Sequence, residues 1–142
     1  TQVGAPAFAA YHNTTRSATY GTEGKISLNT EVFDTANCFA SSRFTPNVAG
    51  YYQINGQVCL QATSNGVIAE IYKNGSVYVY GAVGPGLSGC YARSIVSHII
   101  YLNGTTDYVE LYGLPTGGGS GAATINAGST DTWFSGCFLR SA

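Results

Sequence analysis

Two histidines, His12 and His98, are the candidates for acid–base chemistry. Ser88, His98 and Asp107 would supply the groups of a hydrolase triad, in which an imidazole takes the serine proton and a carboxylate orients the ring. The flanking residues speak against it. Gly86-Leu87-Ser88-Gly89 lacks the Gly-x-Ser-x-Gly turn that presents a nucleophile, and no spacing brings the three residues together. His98 shares strand parity with Val96 and Ile100, which predicts a buried, hydrogen-bonded ring. Gly117-Gly118-Gly119-Ser120-Gly121 has the glycines of a phosphate loop but not the following Lys, and reads as a flexible connection. The carboxylates Glu23, Glu31, Asp34, Glu70, Asp107, Glu110 and Asp131 are scattered, with no calcium-binding cluster. No catalytic residue, metal or cofactor is expected.

Cys38, Cys59, Cys90 and Cys137 are widely spaced, without the Cys-x-x-Cys pattern of a zinc site. The favoured reading is four small buried thiols, with two disulfides in one of three pairings as the alternative. Cys59 and Cys137 are expected close together. The Asn-x-Ser/Thr matches at Asn13, Asn74 and Asn103 are of the kind that turn-rich sequence produces by chance.

The tyrosines carry more information. The chain has 11 of them. Tyr72, Tyr78, Tyr80 and Tyr112 fall on hairpin or strand-end positions. A phenol combines a large apolar face with a hydroxyl, which suits sugar stacking and protein recognition. Packing within the sandwich is the competing reading for any one of them. The expected ligand-binding loops are the hairpin around Asn74, the Ala82–Gly89 loop with Leu87, and the Gly113–Thr130 stretch with Thr116.

These residues must be positioned by strands. No segment keeps apolar residues at helical spacing, whereas short alternating runs are punctuated by Gly, Asn, Pro and Ser. The central run follows the turn at Pro46 and Gly50. From Tyr51, one face carries Tyr52, Ile54, Gly56, Val58 and Leu60; the other carries Tyr51, Gln53, Asn55, Gln57 and Cys59. Strands are also predicted at Ala7 to His12, near Ser17 to Tyr20, at Glu31 to Asp34, Tyr91 to Leu102, Tyr108 to Tyr112 and Thr132 to Leu139. Val67 to Tyr72 and Val77 to Tyr80 flank Asn74-Gly75, a strong hairpin signal because both residues tolerate positive φ. Tyr108 to Tyr112 is expected to partner the long strand, and Gly113–Thr130 to be a loop or to hide a poorly patterned strand.

Two strands are apolar on both faces. Val96, Ile100 and Leu102 oppose Ile95, Ile99 and Tyr101; Phe134 and Phe138 oppose Trp133, Cys137 and Leu139. An antiparallel sandwich normally wets its outer faces, so a second buried surface is implied. Burying about 500 Å² of apolar area per chain would contribute roughly 12 kcal/mol before association costs.

The composition agrees with an all-β surface protein. Net charge is −1, which recruits neither nucleic acid nor a membrane surface. Charged residues are 9% of the chain, against about a quarter in ordinary soluble domains. No apolar run approaches a membrane span. The sequence contains no Met, which leads us to expect a processed product or an excised domain.

Motifs across nearly the whole chain are similar to one family. Asp34-x4-Phe39 and Phe44-x5-Gly50-x-Tyr52-x-Ile54 follow its aromatic signature, with Leu28 in place of the first aromatic, Ile54 in place of Phe, and a Phe39-to-Phe44 spacing two residues short. Leu102, Asp107, Val109 and Leu111 follow its Leu-x-x-Gly-Asp-x-Val-x-Leu with one extra residue and Thr106 for Gly. Phe134-Ser135-Gly136-Cys137-Phe138-Leu139 matches its ending with Cys137 inserted. The chain thus resembles the globular head of complement first component subcomponent q, within the tumour-necrosis-factor-like superfamily. The resemblance implies a ten-stranded jelly-roll sandwich over residues 1–142, a single head domain of a longer protein, assembled as a compact homotrimer. It implies a non-catalytic head that binds a cell-surface protein or glycan through its loops. Low charge and divergent motifs incline the expectation to a phage fibre tip or virion surface, hence an extracellular or virion location, with a structural trimerisation or decoration module as the alternative. The expected trimer interface comprises Tyr51, Gln53, Asn55, Gln57, Cys59, Ile95, Ile99, Tyr101, Trp133, Cys137 and Leu139.

Overall fold

A computed structural model describes residues 4–61, 65–117 and 121–142. The strands are β1 (Ala7–Tyr11), β2 (Arg16–Thr19), β3 (Gly24–Lys25), β4 (Thr30–Asp34), β5 (Phe39–Ala40), β6 (Arg43–Phe44), β7 (Gly50–Leu60), β8 (Val67–Lys73), β9 (Ser76–Gly84), β10 (Ala92–Leu102), β11 (Val109–Pro115), β12 (Ala122–Ile125) and β13 (Trp133–Arg140). Three of these thirteen, β3, β5 and β6, are two residues long. Ten longer strands remain among the described residues, as expected.

Two antiparallel sheets form. In the first, β10 pairs β7, β7 pairs β13, β13 pairs β1 and β1 pairs β4, while β12 joins the end of β7 and carries β2. The second runs β5-β6-β11-β8-β9, with β3 on β11. β7 and β10 are in register over their full lengths, from Gly50↔Leu102 to Leu60↔Ala92. The alternation read from the central run holds: Tyr52, Ile54, Val58 and Leu60 are all buried between the sheets.

The core is aromatic at one end. Phe8 stacks on Phe44 with centroids 4.4 Å apart and on Phe39 at 4.9 Å, and meets Phe134 edge-on at 5.2 Å. Asp34 Oδ2 accepts the Phe39 backbone N–H at 2.7 Å, giving the acidic motif position a turn-closing role. Gly56 lets the sheets approach closely, since a Cβ there would stand 2.6 Å from Leu111 Cδ1. The Asn74-Gly75 hairpin is confirmed, with φ of 51° and 83° at its two turn residues.

Two sequence expectations are corrected, and a third, the strand that the Gly113–Thr130 stretch could hide, is found. Tyr108 to Tyr112 does not partner the long strand: β11 lies in the other sheet against β8, and residues 103–107 cross between sheets. Asn103 Oδ1 shapes that crossing by accepting the N–H groups of Thr105, Thr106 and Asp107. Ala82 to Gly84 continue β9 rather than forming a loop. The Gly113–Thr130 stretch extends β11 to Pro115 and contains β12; its residues 118–120 lie outside the described residues.

Candidate interaction surfaces

The outward face of the first sheet is assembled by cross-strand rows. One row places Tyr51 opposite Tyr101; the next aligns Ile99, Gln53, Cys137 and Ala7. The following rows align Ser97, Asn55, Ser135, Ala9 and Phe33, then Ile95, Gln57, Trp133 and Tyr11. Ile95, Ile99, Tyr51, Tyr101, Leu139, Val32 and Phe33 are exposed, and the charged side chain in these rows is Arg140, paired with Tyr51 at the end of the sheet. At the centre the polar groups satisfy one another. Gln53 Nε2 donates to Asn55 Oδ1 at 3.0 Å and to Ser97 Oγ at 2.9 Å, and Ser97 Oγ donates to Asn55 Oδ1 at 2.8 Å. A shallow hollow of about 500 Å³ lies beside them, lined by Tyr51, Ile99, Leu139, Arg140 and Ala142.

This face is shorter than the sequence suggests. Gln57 and Cys59 are buried under residues 126–132 of their own chain. Gln57 Nε2 donates to Thr130 O at 3.0 Å and Asp131 O at 2.8 Å. Thr132 Oγ1 accepts the Cys59 N–H at 3.2 Å and donates to Asn126 O at 2.8 Å. Arg93 holds the arch from outside through Asp131. Cys59 and Gln57 therefore leave the expected assembly surface. Nor is Cys59 near Cys137, which pairs with Gln53, six positions away along β7 or about 20 Å. All four cysteines are free thiols; Cys38 and Cys59 are buried as expected, whereas Cys90 and Cys137 are exposed. Burial pushes the Cys59 thiol up to about 11.

A second apolar surface runs along the sandwich edge. Two register shifts between β8 and β9 give β9 extra residues, so it turns Val77, Tyr78, Tyr80 and Val83 outward. Leu87 and Tyr91 extend the surface. His98 belongs here and not in the core: β10 is a sheet edge, the sandwich is open at that point, and the exposed ring meets Tyr78 edge-on at 5.7 Å. The buried histidine is His12, whose Nδ1 lies 2.6 Å from Ser27 O. Ser88 precedes β10 and Asp107 follows it, so an eleven-residue strand of about 33 Å separates two members of the imagined triad.

The expected loop site does not come together. Asn74 is spent at one end of the second sheet, donating to Asp107 Oδ1 at 2.8 Å and accepting the Tyr108 N–H at 3.0 Å. The Asn74 bond, reinforced by Lys73, holds the Asp107 carboxyl below its ordinary range. Leu87 and Thr116 sit at the other end, where Thr116 N–H bonds Gly66 O, a seven-residue strand of about 20 Å away. Tyr72 is buried and Tyr112 half-buried, stacked on each other with centroids 3.7 Å apart. Tyr78, Tyr80 and Leu87 remain exposed. The exposed Val32, Phe33, Val77, Val83 and Tyr91 are not among the expected site residues; Val32, Phe33, Val77 and Tyr91 lie in expected strands and Val83 in an expected loop, and the outward placement of the β4 and β9 residues follows register shifts. Among the described residues no three His, Cys, Asp or Glu side chains gather as a metal site.

The two-sheet topology has clear counterparts among solved structures. The globular domain of zebrafish complement 1qA protein superposes with a TM-score of 0.70 at 16% identity, covering 97% of this chain and 99% of that one. The fold is the complement-q jelly roll. Eiger TNF from S. frugiperda shares this jelly roll with a TM-score of 0.68 at 8% identity, covering 96% and 93% of the two chains. Murine APRIL at pH 5.0 does so with 0.67 at 11%, covering 95% and 99%. No family model matches the sequence, and no curated protein is similar to it.

Proposed function

We propose that this jelly roll is a non-catalytic recognition head that works as a homotrimer. One observation carries the reading: a single chain bears two separate apolar surfaces. One is the sheet face around Tyr51, Ile95, Ile99, Tyr101, Trp133, Cys137 and Leu139; the other is the β9 edge around Tyr78, Tyr80 and Val83. Two different patches on one protomer pair head to tail, and such contacts close into a ring of three when each copy is rotated by a third of a turn. Three copies also bring the Gln53 and Asn55 amides near one axis, where side-chain amides satisfy each other without burying charge. This assigns Tyr78 and Tyr80 to assembly and leaves recognition to the strand-end loops around Asn74 and around Leu87 and Thr116. The partner is a cell-surface protein or glycan, met by a head at the end of a longer fibre or on a virion.

A glycan array and a cell-binding assay on the purified protein test this reading. Binding that disappears when Leu87 or Thr116 is replaced, with assembly intact, supports a recognition head. Intact assembly with no binding anywhere supports the structural alternative, a trimerisation or decoration module.

A further inference from the structure

The outward face of the second sheet holds a carboxyl that neither surface uses. Glu70, in the middle of β8, is fully buried, and neither carboxyl oxygen has a hydrogen-bond partner among the described residues. An ionised carboxylate in that position is costly, because nothing replaces its hydration. Its cross-strand neighbours are phenols, Tyr112 on β11 and Tyr80 on β9. The cations on this face are engaged elsewhere: Lys25 and Arg43 both hold Glu110, at 2.6 and 2.9 Å. The charge that does reach Glu70 is negative, from Glu23.

Glu23 belongs to the connection between β2 and β3. That connection is pinned at three points. Gly21 N–H bonds Pro115 O at 2.8 Å, β3 pairs Gly113 and Tyr112 of β11, and Tyr72 Oη donates to Glu23 Oε2 at 2.5 Å. The first two are backbone bonds. The third is a side-chain latch, and it lies within reach of the Glu70 charge.

We propose that Glu70 is the proton sensor of a clasp formed by Glu23 and Tyr72. With Glu70 neutral, Glu23 holds the Tyr72 hydroxyl and the connection stays closed against the sheet. With Glu70 ionised, its buried carboxylate is left unhydrated within reach of the charge on the exposed Glu23. Water must enter, the Tyr72–Glu23 bond is lost, and residues 20–24 loosen over the Tyr72–Tyr112 stack. The transition falls at physiological pH: burial first, and the Glu23 charge second, push the Glu70 carboxyl up to about 7. Burial also raises the phenols of Tyr72 and Tyr112, so both remain hydroxyl donors throughout.

The test is amide exchange by NMR on the whole protein from about pH 5 to about pH 8, corrected for the intrinsic rate. Opening linked to one proton lowers protection of the Gly21 amide by up to about tenfold per pH unit as the pH rises toward about 7, and levels off above it. Glu70→Gln should hold that amide protected across the range. Glu23→Gln keeps an acceptor for Tyr72 but removes the like charge, and should shift the Glu70 titration to lower pH. Flat protection in the unmodified protein, or an unchanged pH response in Glu70→Gln, would overturn the clasp. Should Glu70→Gln fail to fold, a Glu70 titration unmoved by Glu23→Gln overturns it equally.

Discussion

Tyr51 and Tyr101 face one another across the β7–β10 pair, ring centroids 5.6 Å apart and inclined at 61°, on the outward side of the first sheet. Each is well exposed in the single chain. An edge-to-face pair of this kind is an ordered, apolar platform with hydroxyls at its rim, the type of surface that second copies cover.

The protein should therefore be a trimer at micromolar concentration, and Ile99→Glu, beside this platform, should dissociate it. Asn55→Gln keeps the amide and should be tolerated. Asn55→Glu brings three like charges together and should weaken assembly by several kcal/mol at neutral pH, with partial rescue in acid. Sedimentation of each variant at two pH values checks this; a monomer-sized parent protein, or Asn55→Glu assembling normally at both, removes the axis assignment.

The thiols should separate into three classes. Cys90 should react quickly with a thiol probe, and Cys38 and Cys59 only on unfolding. Cys137 should be slow in the assembled protein and fast in Ile99→Glu, because assembly alone covers it. Equal Cys137 rates in the two proteins, followed by mass spectrometry, would contradict that cover.

The arch over Cys59 should depend on one hydroxyl. Thr132→Val keeps the shape but leaves the buried Cys59 N–H without its acceptor, at a cost of about 1–3 kcal/mol. Urea denaturation measures the loss. Cys59 labelling should accelerate in the same variant, which a loss of stability far from the arch would not cause selectively.

Glu70 makes a signed prediction for stability. Its carboxyl, near 7 in the fold, sits above the ordinary value of 4.5, so the folded protein keeps a proton that the unfolded chain releases. The contribution is full below about pH 4.5, declines as pH rises, and is lost above about pH 7. Glu70→Gln should remove that decline and gain up to about 3 kcal/mol relative to the parent on going from acid to about pH 8. Denaturant midpoints at the two pH values decide; parallel pH dependence in both proteins would contradict it.

Much of this was legible in residue order. Period-two alternation identified the central strand and its buried face, because a strand's side chains alternate whatever lies beside it. Asn74-Gly75 specified its hairpin, because positive φ is a local requirement. The apolar pattern on both faces of β10 and β13 points to a second surface by itself. What alternation cannot say is which strand lies alongside, or what covers a face. Parity placed His98 with Val96 and Ile100, yet at an edge strand the sandwich is open and the ring is exposed. It placed Cys59 with Gln53 and Asn55, yet the arch of residues 126–132 returns over that end of β7. It gave Glu70 no special standing, yet phenols from neighbouring strands and a distant connection close around it. These outcomes rest on pairings between residues far apart in the chain, and only the tertiary structure decides them.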